Sequence, residues 1–239
     1  MRECIRSDIE GRSGMLGGHV IIVVGLAFEA RIAAGPGVDV ICSGDGRDLP
    51  GKLTAAITNA RKRGRGLPGI VSFGVAGGLA PQLPSGACVV GTHVVSGSRR
   101  MPTHRQWTEK LVQTIPGAVS GGLAGVSAPV AHPSAKRELF DKTGAIAVDM
   151  ESHIVASVGL AEDVPFAAIR VITDPAQRAL PPSAIAAMRP NGTTDFGAMF
   201  RSVLRRPRDL PALLQTALDA RAARASLVRG RYWLGPALV

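Results

Sequence analysis

Val20 to Gly25 is a run of β-branched residues with no polar interruption, closed by a glycine. A strand that is apolar at every position is covered on both faces, and such strands belong to parallel or mixed sheets lying between helices. Val38 to Cys42, Gly69 to Gly74, Ala87 to Val95, Ala145 to Val148 and Phe166 to Ile172 are further strand-like runs. Between them lie helix-like segments: Lys52 to Arg63, with Leu53, Ala56, Ile57 and Ala60 on one face, then Trp107 to Ile115 and Glu151 to Leu160. This alternation predicts an α/β fold, a three-layer α/β/α sandwich built on a central mixed sheet.

With 239 residues the chain suits one sizeable domain, and no linker divides it. Residues 1–18 carry mixed charge and read as a flexible tail, leaving 19–239 as a single domain. Its C-terminal part is basic and helical, with amphipathic spacing over Gly197 to Leu204 and Leu210 to Leu227. The longest apolar run, His19 to Phe28, falls well short of the ~18 to 20 residues of a spanning helix, and the tail lacks the pattern of a signal peptide. Cys4, Cys42 and Cys88 are odd in number and widely spaced, which predicts neither a disulfide framework nor a zinc ribbon and fits a reducing cytoplasm. The five histidines lack ligand spacing, so no metal is expected.

The net charge of +10 is concentrated at Arg61 to Arg65 and Arg201 to Arg229. Such a balance suits polyanions or anionic membranes as partners, or simply solubility. Nucleic acid is the weaker choice, because Tyr232 is the one tyrosine and both tryptophans lie outside the basic clusters, leaving no stacking platform. Gly64 to Gly69 matches GxGxxG but precedes a strand and contains proline, so it reads as a basic turn and not a dinucleotide site.

Three stretches carry chemistry. Gly74-Val75-Ala76-Gly77-Gly78-Leu79 follows a strand and reads as a glycine-rich turn, whose backbone N–H groups can approach an anion or a developing negative charge. Ala147-Val148-Asp149-Met150-Glu151-Ser152 sets a glutamate where a strand meets a helix. There it either serves the helix terminus or grips a diol through two accepted hydrogen bonds. Arg170-Val171-Ile172-Thr173-Asp174-Pro175 puts an aspartate at the carboxyl end of a strand, where open α/β sheets bind ligands, although a loop-capping role fits equally well.

Together with Gly25 to Glu29, these motifs resemble, in matching order from about Val20 to Ala176, the purine nucleoside phosphorylase and methylthioadenosine/adenosylhomocysteine nucleosidase superfamily. The resemblance implies a nucleoside phosphorylase/hydrolase-like fold and cleavage of an N-glycosidic bond. It assigns Asp174 as the general acid that protonates purine N7, and Met150 and Glu151 as the ribose site. Gly25, Val75, Ala76 and Gly77 would shape the site of the attacking water or phosphate, with Arg170 and Thr173 in support. Bacterial phosphorylases of the superfamily typically carry arginine four residues after the N-terminal glycine and again before the glycine-rich turn. Here those positions read Glu29 and Ser72. A carboxylate cannot clamp phosphate but can orient and deprotonate water, so Glu29 favours hydrolysis. Phosphate as co-substrate, held by Arg31, Arg99 or Arg170, stays the alternative. No cofactor is implied.

The part from Ile172 through Pro190-Asn191-Gly192 and Leu204-Arg205-Arg206-Pro207 is similar to the hopanoid-associated phosphorylase branch. That similarity implies adenosylhopane, a nucleoside with a lipid tail, as substrate, with a simple methylthioadenosine or adenosylhomocysteine nucleosidase as the alternative. Val130 stands near a place where small nucleosidases often carry phenylalanine. Arg201, Arg205, Arg206 and Arg208, near Phe200, Leu204 and Leu210, could rest on an anionic inner-membrane surface, or form a solvated helix face. The superfamily also implies a homo-oligomer, a dimer by preference.

Overall fold

The computed structural model describes residues 20–43, 48–64, 69–181 and 210–234. The chain runs β1 (Val20–Val24), α1 (Ala27–Ala33), β2 (Val38–Cys42), α2 (Leu49–Lys62), β3 (Gly69–Gly78), β4 (Cys88–Ser96), β5 (Arg99–Pro102) and α3 (Arg105–Thr114). It continues through β6 (Val119–Gly125), α4 (Pro133–Thr143), β7 (Ala147–Asp149), α5 (Ser152–Ala161), β8 (Phe166–Asp174) and α6 (Leu210–Leu234). The helix expected over Gly197 to Leu204, and the arginines from Arg201 to Arg208 expected at a membrane, lie outside the described residues.

The strands form one mixed sheet. β1 pairs in parallel with β2 and β3, and β3 in parallel with β8. β8 then runs antiparallel to β4, β4 parallel to β6, β6 parallel to β7, and β7 antiparallel to the end of β3. The last pairing returns to β3, so β3, β8, β4, β6 and β7 close into a ring while β1 and β2 extend from it as an open wing.

Each central strand feeds two cores, as its unbroken apolar run predicts. Ile21 and Val23 of β1 join Leu53 and Ile57 of α2 and Val155 and Ala156 of α5 on one face. Val20, Ile22 and Val24 join Trp107 and Leu111 of α3 and Ala223 and Leu227 of α6 on the other. β8 divides in the same way, with Ala168 and Ile172 on the first face and Ala167, Ile169 and Val171 on the second. Truncating a fully buried leucine such as Leu53 to alanine in such a core typically costs about 2 to 5 kcal/mol.

The structure corrects one local expectation. Gly74 to Gly78 is not a turn but the second half of β3, held by the pairs Gly77 with Val148 and Gly78 with Ala147. The glycines are there because neighbouring side chains cross the strand: a Cβ on Gly77 would lie 3.1 Å from Asp174 Oδ2, and one on Gly78 3.2 Å from Ile172 Cγ2. The strand exit therefore presents backbone and no side-chain bulk to the space beyond it.

Candidate active site

The ends of β1, β3, β7 and β8 converge on one pocket. Its lining includes Gly25, Glu29, Val75, Ala76, Gly77, Met150, Glu151, Thr173 and Asp174, so the catalytic, ribose and nucleophile positions expected from the sequence are brought together. Arg170 lies just beneath, fully buried.

Glu29 sits in the first turn of α1 and is 1% exposed. Its Oε2 accepts the N–H groups of Gly25 at 2.9 Å and Leu26 at 2.8 Å, and its Oε1 accepts that of Val75 at 2.7 Å. The carboxylate thus fills a concavity of backbone donors of the kind that ordinarily captures anions. Burial pushes its carboxyl above the ordinary glutamate value, against the opposing pull of Arg170 and the three N–H groups, which makes it a better base than an exposed glutamate. Gly74, with φ of 155°, is what allows this approach, since a Cβ there would stand 2.8 Å from Glu29 Cδ and 2.9 Å from Arg170 Nη1.

Arg170 reaches this place by register, because it pairs across the sheet with Gly74. Its Nη2, with two hydrogens to donate, has four acceptors in reach: Ser72 Oγ at 2.6 Å, Asp149 Oδ1 at 3.0 Å, Ser152 Oγ at 3.2 Å and Glu151 Oε2 at 3.4 Å. Its Nε and Nη1 are buried without a hydrogen-bond partner among the described residues. Unpaired donors on a buried cation are costly, and their usual remedy is a bound water or a ligand. Three carboxyl groups, Glu29, Asp149 and Glu151, lie around this single guanidinium.

At the junction of β7 and α5 the helix-capping role falls to Asp149 and not to Glu151. Asp149 Oδ1 accepts the N–H groups of Glu151 at 2.9 Å and Ser152 at 2.7 Å. Glu151 is the residue preceding α5, and with the terminus already served its side chain is free to line the pocket. Burial pushes the Glu151 carboxyl up to about 7; Arg170 opposes this, while Asp149 and Glu29 reinforce it.

Asp174 is aimed by a bulge. β3 and β8 pair regularly up to Ala76 with Ile172, and then Gly77 pairs with Asp174, leaving Thr173 as the extra residue. Asp174 Oδ1 accepts the Thr173 hydroxyl at 2.7 Å. Its Oδ2 accepts Lys136 Nζ at 2.6 Å. Reading the sequence missed Lys136 as well as Asp149 and Ser152. The apolar wall of the pocket comes from Leu26, Val126, Pro129, Val130, Val148 and Leu180, so Val130 does border the site.

The family model described as the phosphorylase superfamily matches residues 12–210. The chain belongs to that superfamily. No curated protein sequence matches it. Among solved structures, this superfamily member is similar to the 5′-methylthioadenosine/S-adenosylhomocysteine nucleosidase of Colwellia psychrerythraea in complex with adenine, at 17% identity over 89% of this chain and 95% of that one, with a TM-score of 0.57. It is similar to the S-adenosylhomocysteine nucleosidase of Streptococcus pyogenes at 15% identity over 85% and 98%, with a TM-score of 0.58. It is also similar to the futalosine hydrolase of Helicobacter pylori at 16% identity over 86% and 96%, with a TM-score of 0.57. At these identities the likeness establishes the fold, a mixed sheet with helices on both sides. Among the described residues no helix is long and apolar enough to cross a membrane.

Proposed function

We propose that this superfamily member hydrolyses the N-glycosidic bond of a 5′-substituted adenosine and releases adenine. The observation that carries this reading is the carboxylate of Glu29 inside the backbone N–H concavity of Gly25, Leu26 and Val75. A phosphate would need those donors and would meet a buried negative charge. A water needs only an acceptor and a donor, and the Glu29 carboxyl and Arg170 Nη1 both border the open side of Gly74. Glu29 takes the proton as the water attacks C1′. Asp174 gives a proton to N7 as the bond breaks, so that the base leaves neutral. The sugar becomes cationic in between, and the ionised carboxylate of Glu151 that holds its hydroxyls favours positive charge where it develops. Glu151 accepts the two ribose hydroxyls, and Met150 packs against the sugar.

The 5′ substituent that fits the resemblance of the chain's later part is the hopane of adenosylhopane. The apolar wall of Leu26, Val126, Pro129, Val130 and Leu180 suits a hydrocarbon. Adenine release from adenosylhopane in detergent, run beside methylthioadenosine and adenosylhomocysteine, tests this. Preference for adenosylhopane supports the lipid substrate, and turnover of the thioethers alone removes it while keeping the chemistry.

The titration of Glu151 gives a separate expectation. Gripping a diol needs its ionised form, so kcat/KM falls as pH drops below about 7. Stability moves oppositely. A carboxyl raised from 4.5 to about 7 on folding holds a proton that the unfolded chain has released, so this group lowers stability as pH rises through that window. In Glu151→Gln both trends flatten, as pH–rate profiles and thermal melts between pH 5 and 8 will read.

A further inference from the structure

α4 docks through partly buried Leu139 and Phe140, yet its one fully buried residue is a lysine, Lys136, 0% exposed. Burying an ammonium is expensive unless its charge and its hydrogens are met. Here they are. The three hydrogens of Nζ are shared among four acceptors, Asp174 Oδ2 at 2.6 Å and the backbone carbonyls of Asp174 at 3.1 Å, Pro175 at 3.0 Å and Arg178 at 3.0 Å. A contact of this cost, made to the single carboxylate assigned as the acid, calls for an explanation beyond stability.

The two oxygens of Asp174 differ in what their partners permit. The Thr173 hydroxyl has one hydrogen and two acceptors in reach, Asp174 Oδ1 at 2.7 Å and Ala76 O at 3.2 Å. By turning to Ala76 it frees Oδ1 to carry a proton. Lys136 has no such freedom, since an ammonium only donates, and Oδ2 is therefore held as an acceptor. The geometry points to Lys136 as the positioning residue of the general acid: it confines the transferable proton to Asp174 Oδ1, and its charge meets the carboxylate left behind when that proton moves. This inference rests on the proposed base release. In the step itself the Oδ1–H bond breaks and an N7–H bond forms. The electron pair of the glycosidic bond goes to the base, and Lys136 keeps its own protons.

The test compares an adenine nucleoside with its N7-methylated counterpart, whose base is already cationic and leaves without an acid. Lys136→Met should lower kcat on the plain nucleoside by about 100-fold, the lower range of general acid catalysis. On the methylated one it should stay within about threefold of wild type. Lys136→Gln, which keeps hydrogen-bond donors without charge, should show the same selectivity in milder form and serves if the methionine variant does not fold. In an Asp174→Asn background, losing Lys136 should add little to the loss already present. Equal losses on both nucleosides would mean that Lys136 merely holds the loop, and would overturn this inference alone. A wild type that releases base from neither nucleoside overturns the proposed function and this inference with it.

Discussion

Asp174→Asn should lower kcat for adenine release by about 100- to 10,000-fold, the usual span of general acid catalysis. Asparagine keeps the shape of the side chain and can still accept from Lys136 Nζ, which lies 2.6 Å from Oδ2, so the bulge at Thr173 and the pocket wall should survive. What it lacks is an ionisable proton. Binding of adenine, read by calorimetry, should therefore change far less than kcat, and an N7-methylated substrate should be cleaved at close to the wild-type rate. A variant with wild-type kcat on the plain nucleoside would remove Asp174 as the acid and return it to the loop-capping role that its position before Pro175 also allows.

The second large effect is expected at Glu29. Glu29→Ala removes the base and empties the concavity formed by the N–H groups of Gly25, Leu26 and Val75. Hydrolysis should fall by about 100-fold or more. The vacated donors suit a small carboxylate, so formate should restore part of the rate in a saturable way. Glu29→Gln should not be rescued, because its amide still fills the space and turns an N–H group toward a backbone donor. Rates that survive in both variants would show that the water is activated elsewhere.

The parts of the fold that could be read beforehand are those in which every residue of a segment faces a core. β1, β3 and β8 have uninterrupted apolar runs because each alternates between two buried faces. β6 and β5 escaped notice for the opposite reason. Val119–Gly125 is half glycine and serine and its first two residues are exposed, and Arg99–Pro102 is a short edge strand with three of four residues exposed. Only its pairing with β4 makes it a strand. α4 opens with proline and displays charged residues on its outer face, so its spacing looks like a loop followed by a polar segment.

At the site, Glu151 and Asp174 were legible as candidates from their places at strand ends, and Gly25 and Glu29 through the superfamily resemblance. Those that escaped depend on contacts across the fold. Lys136 in the run Pro133 to Phe140 has the surroundings of a solvated lysine, and nothing nearby in the chain announces the aspartate 38 positions away that it touches. The register of Gly74 with Arg170 is likewise invisible until the strands are paired.

Incubating the protein with an adenine nucleoside in phosphate-free buffer and identifying both products separates water from phosphate as the nucleophile. Hydrolysis through Glu29 gives free adenine together with a sugar bearing a free anomeric hydroxyl, at a rate that does not rise when phosphate is added. Adenine formed only when phosphate is present, with a sugar 1-phosphate as partner product, would contradict it and would mean that Glu29 gives way to phosphate in its concavity.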